Sequence, residues 1–346
     1  MEELTHFNTA YPNQKGTHAS WERQPVATDI CRAHPALHGS HGYGGDCFPS
    51  GSGCSLLLMR HMTPLVLLLG LATIPVHAAL RPEQTEANRP VKPFNIIGDV
   101  YYVGAADTTS YLISTPAGLI LLDGGFAETA PQIEHNIVAL GFKLADVKIL
   151  LNGHAHPDHA GGLAALKRAT GAQFDAMDAE VTPLEHNGQG TFYRGDRKLF
   201  ESIHVDRVLH DGDTVTLGGV TLTAHLTPGH TPGCTTWTMK MGEGGKTYDV
   251  AFICQLTLRT DQSLTHDPDY PNIAADYRHT FAVLGSMPCE VFLGEHGYMF
   301  DLSGKRARLA AHPATNAFID PAGCKRFVQK TKDAFDAALK KEAGAS

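Results

Sequence analysis

Lysine and arginine form no basic track in this 346-residue chain: 28 of them stand against 36 aspartates and glutamates, a formal charge of −8. Nucleic acid is therefore excluded as a partner, because a phosphate backbone demands such a track. Apolar runs of membrane-spanning length are missing too, and the run from Leu65 to Leu71 is far too short for a stable helix across a bilayer. Residues 1–58 lack any sustained pattern. They mix Gly, Pro, His, Ser and three cysteines, with neither a helical nor a strand period held over a useful length.

The next segment is better defined. Residues 59–79 carry a basic start at Arg60 and His61, the short apolar run, and a small-residue end, Pro75-Val76-His77-Ala78-Ala79. These are the parts of a secretory signal peptide, with cleavage expected after Ala78 or Ala79. Signals act at a chain start, so Met59 or Met62 is the expected first residue and residues 1–58 an upstream extension; a disordered tail is the rival reading. Export predicts a periplasmic protein in an oxidising compartment, with no stable membrane insertion after cleavage. Residues 80–346 then suit a single domain.

The chain holds 20 histidines, and their placement carries the information. His154-Ala155-His156-Pro157-Asp158-His159 packs four potential metal ligands into six residues, directly after the apolar strand pattern of 147–151. On an extended or tight-loop backbone His154 and His156 share one side and converge on one ion, while Asp158 and His159 face a second position. Gly161-Gly162 then opens a helical stretch at 163–170. Two more histidines follow expected strands: His230 in Thr227-Pro228-Gly229-His230-Thr231-Pro232-Gly233, and His296 in Gly294-Glu295-His296-Gly297. Loops beyond strand ends are where an α/β scaffold presents reacting groups. His225 falls inside a strand and reads as a core histidine or one that supports a ligand. His279 falls in a helical pattern and reads as surface or packing.

With these motifs the chain, from about Pro93 to its C-terminus, resembles the metallo-β-lactamase superfamily and, within it, class B subclass 3 β-lactamases. Leu121-Leu122-Asp123-Gly124-Gly125 and the terminal helix extend the likeness. The resemblance implies an α+β fold, a four-layer αββα sandwich whose two similar halves meet at an edge holding two zinc ions. It implies that His154, His156 and His230 hold the first zinc and that Asp158, His159 and His296 hold the second. Asp123 becomes a buried residue behind the ligands or in a turn.

Three neutral imidazoles leave a tetrahedral position open, the pattern of a catalytic zinc. A zinc pair acidifies water into a nucleophile, stabilises the carbonyl oxygen under attack and accepts the leaving atom. Asp158 orients that nucleophile and moves a proton, so no serine or cysteine nucleophile is needed. The implied activity is hydrolysis of the β-lactam amide in penicillins, cephalosporins and carbapenems, conferring antibiotic resistance, by a monomer acting on a small molecule. Many superfamily hydrolases with other substrates bridge their metals with an aspartate where this chain has Cys254-Gln255, and that aspartate is absent. The subclass's usual serines near this point are replaced by Gln255 and Thr257, which are expected to receive the substrate carboxylate. A lactonase or thioesterase of the same fold is the alternative, and a non-catalytic metal-binding protein the second.

Four cysteines lie beyond the signal. Pairing Cys289 with Cys324 would tether the C-terminal helix to the core, as the resemblance also suggests, for roughly 3–4 kcal/mol. Cys234 and Cys254 flank a hairpin expected at 235–241 and 247–253 around Gly242-Glu243-Gly244-Gly245, and symmetric registry would set them opposite each other. Zinc ligation by Cys254 is the competing role. Alignment on Leu256 puts Gln255 at the ligand position instead, and a one-residue slip turns a strand side chain to the other face, so the disulfide is preferred.

Elsewhere a meander is expected at 94–97, 100–103, 110–114 and 118–122, then an amphipathic helix at 130–140 with Ile133, Ile137 and Leu140 on one side. A second run of strands covers 214–251, with a later strand at 290–293 and helices at 273–284 and 321–342. Asp320 caps the last helix and Pro321 occupies its first turn. Segment 186–204 is expected either as a loop over the site or as a surface connection.

Overall fold

The computed structural model describes residues 82–190, 198–259 and 262–344, all within one compact unit spanning Ile74–Ser346. The expected upstream extension and signal peptide lie outside the described residues. After a short helix, α1 (Pro82–Ala87), a meander runs through β1 (Phe94–Ile97), β2 (Val100–Tyr102), β3 (Tyr111–Thr115) and β4 (Gly118–Leu122). Helix α2 (Ala130–Ala139) then crosses to β5 (Val147–Leu151), which lies parallel to β4. Helices α3 (Pro157–Ala160) and α4 (Leu163–Thr170) lead to β6 (Gln173–Met177), and α5 (Asp178–Glu185) leads on towards β7 (Arg207–Leu209). Among the described residues these seven strands form one sheet in chain order.

The second sheet has the order β12-β11-β10-β9-β8. Its β8 (Thr214–Leu217), β9 (Val220–Leu226), β10 (Thr235–Glu243) and β11 (Lys246–Ile253) are antiparallel. Helix α6 (Ile273–Ser286) crosses to β12 (Val291–Gly294), parallel to β11, and α7 (Leu302–Ala311) and α8 (Pro321–Gly344) close the chain. Among the described residues no helix is long and apolar enough to cross a membrane.

The strand pleat explains the layers, because it sends successive side chains to opposite faces. In β4, Ile120 and Leu122 enter one core cluster while Leu119 and Leu121 enter another. The second cluster is covered by Ile133 and Ile137 of α2 and by Leu163 and Leu166 of α4. The first lies between the sheets, where the Tyr111 ring meets Phe252 edge-on at 5.0 Å, and it continues to Tyr277 and Phe281 of α6 and Phe335 of α8. Helix, sheet, sheet and helix therefore stack as the expected αββα sandwich.

Local details correct the sequence reading. Gly244 and Gly245 alone turn the β10–β11 hairpin, both at positive φ (58° and 78°), so the expected four-residue turn is a tight two-residue one. Trp237 pairs with Phe252, a register that extends to Cys234 against Gln255 rather than Cys254. The two cysteines meet past this last rung, joined as a disulfide with their Cα atoms 5.9 Å apart. Cys289 and Cys324 are joined as well, linking the approach to β12 with α8. Asp320 accepts the Gly323 N–H at 2.9 Å and so caps α8. Phe200 and Ile203 pack into the outer core beside Leu184, so the described C-terminal end of segment 186–204 belongs to the scaffold; residues 191–197 lie outside the described ones.

Candidate metal centre

The ends of β4, β5, β9, β11 and β12 all feed one edge of the sandwich. Just past β4, Asp123 is buried with φ at 64°, a conformation its short side chain tolerates. Its Oδ1 accepts the Asn152 amide at 3.0 Å and the Gly153 N–H at 2.8 Å, which fixes the chain as it leaves β5. The second sheet holds the same two residues from the other side: Thr235 N–H donates to the Gly153 carbonyl at 2.8 Å and the Trp237 indole to the Asn152 carbonyl at 3.1 Å. Pro157 then starts α3, where its preset φ turns Asp158 and His159 into a second position.

All six expected ligands converge, in two triads. One ligand atom from each of His154, His156 and His230 lies within 4.8 Å of the others, and the same holds for Asp158, His159 and His296. In the first triad His156 Nδ1 faces His230 Nε2 at 3.0 Å, and His154 Nε2 is buried with no hydrogen-bond partner. In the second, His159 Nε2 faces His296 Nε2 at 3.3 Å, with Asp158 Oδ2 at 3.6 and 3.5 Å from these two.

The outer nitrogens show which atoms remain for a metal. His230 Nδ1 donates to the Thr257 carbonyl at 2.9 Å, His296 Nδ1 to Asp107 Oδ2 at 2.9 Å, and His154 Nδ1 to Glu295 Oε1 at 3.0 Å. Each bond fixes the tautomer, so the inward nitrogens are lone pairs pointing at one another, a costly arrangement unless a cation lies between them. The donor set fits two divalent ions, one held by nitrogen alone and one by mixed donors.

Burial, reinforced by neighbouring imidazoles, holds His154 and His156 well below the ordinary histidine range. Burial likewise brings His230 down to about 3. The second triad differs. Burial opposes charge on His159, yet Asp158, Glu295 and Asp123 outweigh it and raise the imidazole to about 10. Burial also opposes charge on Asp158, but His159, His296 and His156 bring it down to about 2.

Other residues at the centre were not singled out by motif. Glu180 of α5 is buried and accepts Ala155 N–H at 2.8 Å, Gly233 N–H at 2.9 Å and the Thr231 hydroxyl at 2.5 Å, binding the two first-triad loops together. Burial pushes its carboxyl up to about 7 against the pull of these three donors. Tyr298 is 53% exposed and stacks on His296, while Arg259 brings Nη1 to 3.4 Å from His156 Nε2. The exposed tyrosine directly after Gly297 was the one available signal for this rim.

Gln255 sits beside the centre but turned into its own loop. Its Oε1 accepts the Thr257 hydroxyl at 3.0 Å and its amide donates to Tyr298 OH at 3.1 Å. Thr257 contributes its carbonyl to His230 and its hydroxyl, at 2.8 Å, to Tyr298. Cys254 Sγ lies 3.9 Å from His154 Nδ1, on the side away from the metal-facing nitrogen. His225 is partly buried against Thr238 at 2.8 Å, and His279 is exposed on α6; neither joins a triad.

A family model for the metallo-beta-lactamase superfamily matches residues 103–296. The chain belongs to that superfamily. Among solved structures it is similar to the FEZ-1 metallo-beta-lactamase from Legionella gormanii, with 44% identity, a TM-score of 0.72, and coverage of 74% of this chain and 98% of that one. It is also similar to BJP-1, a subclass B3 metallo-beta-lactamase of Bradyrhizobium japonicum, with 40% identity, a TM-score of 0.70, and coverage of 75% and 98%. A curated relative, a hydroxyacylglutathione hydrolase of Anaeromyxobacter dehalogenans, is 34% identical over 127 residues, 37% of this chain. The chain spans only 40% of that relative's length. The superfamily fold and its subclass B3 likeness agree with the resemblance read from the motifs.

Proposed function

We propose that this superfamily member holds two zinc ions and hydrolyses the amide of β-lactam antibiotics. One observation carries the proposal: a triad of three imidazoles stands beside a triad of one carboxylate and two imidazoles, on a chain that covers 98% of a metallo-beta-lactamase at 44% identity. A metal pair, when bound, polarises the substrate carbonyl and acidifies water to about pKa 7. His154, His156 and His230 hold the first ion; Asp158, His159 and His296 hold the second.

The remaining roles belong to this chain's own atoms. Asp158 is partly exposed and held ionised at about 2, so its carboxylate can accept a hydrogen bond from water and orient it, and can relay a proton to the leaving nitrogen only in passing. Arg259 supplies positive charge beside His156, and Tyr298 supplies a hydroxyl over His296. With Gln255 engaged inside its loop, the substrate carboxylate falls to Thr257, Tyr298 and Arg259 as much as to the amide itself.

The match to a hydroxyacylglutathione hydrolase favours thioester hydrolysis as the second reading. Purified protein assayed against a carbapenem, a thioester and a homoserine lactone separates the readings. Turnover of the carbapenem alone supports the β-lactamase; turnover of the thioester or lactone alone overturns it. Periplasmic export, monomeric action and a role in resistance belong to the same proposal. Intact mass of exported protein checks the first of these, with an N-terminus at Leu80 or Ala79 expected and one upstream of Met59 contradicting it.

A further inference from the structure

Behind the first triad sits a carboxylate that the six-ligand scheme does not use. Glu295 is buried, and its two oxygens are divided between two donors: Oε1 takes the His154 Nδ1 proton at 3.0 Å, and Oε2 takes the Gln255 N–H at 2.5 Å. Its backbone is pinned by Thr109, whose N–H donates to the Glu295 carbonyl at 3.1 Å. One side chain thus spans a metal-facing histidine and the loop that carries Gln255 and Thr257.

Gly153 shows that the scaffold is built around this carboxylate. A Cβ at Gly153 would lie 1.8 Å from Glu295 Oε1 and 2.8 Å from its carboxyl carbon. Backbone conformation does not explain the glycine, since Gly153 is not among the residues at positive φ. What requires it is room: the space a Cβ would fill is taken by the oxygen that holds His154.

The geometry points to Glu295 as the positioning residue of the three-imidazole site, with Gly153 as the vacancy that admits it. Its carboxylate fixes His154 with the proton on Nδ1 and the Nε2 lone pair toward the metal, and makes that nitrogen a stronger donor. Through Gln255 N–H the same carboxylate also holds the start of the loop that carries Thr257. The inference rests on the metal-binding reading of the first triad but not on the identity of the substrate.

The test is a zinc affinity measured against a chelating dye, with cobalt absorption as the spectroscopic readout, on the full chain and four variants. Glu295→Gln keeps the volume but offers one acceptor where two donors need one each. It is expected to weaken the three-imidazole site by about 10- to 100-fold, the usual effect of losing such a support, and to shift its cobalt bands. Gly153→Ala should do the same, since it expels the carboxylate. In a Glu295→Ala background, which is itself weakened, adding Gly153→Ala should change affinity less than about twofold, because two changes acting through one contact are not additive.

Equal cost of Gly153→Ala in both backgrounds would overturn the inference. So would Glu295→Gln with zinc affinity and cobalt bands unchanged, and that variant decides alone if Gly153→Ala does not fold. A wild-type chain that binds no zinc would instead refute the metal-centre reading, so the two failures are distinct.

Discussion

The two triads stand side by side, yet they are made differently. The first is three imidazoles, each at most 8% exposed and held in the neutral form by burial. The second mixes a carboxylate with two imidazoles, opens to solvent at Asp158 (26%) and His296 (13%), and is surrounded by Asp107 and Asp123. A neutral buried cage offers lone pairs with no proton to displace. A charged, half-open cage can exchange both protons and ligands. The first triad is thus suited to retaining a metal, and the second to chemistry that moves a proton.

The largest expected effect breaks both triads at once. Chelation should abolish hydrolysis and added zinc should restore it, with metal analysis giving about two ions per chain. Full activity with a single ion at saturating zinc would rule out the dinuclear reading. His296→Ala should then empty mainly the mixed triad and leave the other loaded, seen as about one zinc per chain.

Acid should separate the triads next. His159 is raised to about 10, so below that pH a metal entering the mixed triad must displace its proton, and affinity should fall about tenfold per pH unit as pH drops from 9 to 6. His230, lowered to about 3, carries no proton over that window, so affinity at the imidazole triad should fall much less there, and only through protonation of the carboxyls behind it, Glu180 at about 7 and the burial-raised Glu295. Isothermal titration in buffers of different ionisation heat would count the released protons. Equal slopes at both sites would erase the contrast.

A smaller effect belongs to Asp107, which supports the mixed triad alone. Its Oδ2 takes the His296 Nδ1 proton at 2.9 Å and its Oδ1 the Tyr298 N–H at 3.0 Å. Asp107→Ala should weaken the second ion by about 10- to 100-fold and spare the first. Smallest of all is Gln255→Ala. Its side chain serves its own loop, so losing neutral hydrogen bonds worth about 0.5–1.5 kcal/mol each should lower kcat/KM by roughly tenfold or less, through KM, with zinc content unchanged.

What could be read from sequence divides along chain separation. Four ligands fall within six residues, and His230 and His296 follow strand ends marked by Gly and Pro, so local pattern sufficed for them. Glu295 touches His154 across 141 positions and Asp107 touches His296 across 189, and no local period encodes such pairs. The fold shows the same divide. The meander, α2 and the terminal helix were legible from their periods, but β6 reads Gln-Phe-Asp-Ala-Met without a β-branched residue and β7 is three residues long. Helix α5 contains Pro183 and α7 contains Gly304, residues that ordinarily argue against a helix interior. In the hairpin, Gly242 and Glu243 have turn-like composition but pair across the ladder, which shifts the cysteine register by one residue from the symmetric expectation.

The distribution of ligands along the chain also sets the order in which the two cages can be completed. His154, His156, Asp158 and His159 all belong to the first sheet's part of the chain, ahead of every strand of the second sheet. Both cages still lack a wall at that stage, and His230 and then His296 arrive only as the growing chain passes β9 and β12. The mixed triad cannot close until the last strand has docked beside β11 and brought His296 with it, whereas the imidazole triad needs only the loop after β9. Completion of the mixed triad is thereby the later of two checkpoints: a chain truncated between residues 230 and 296 carries all three residues of the imidazole triad but lacks the last histidine of the other.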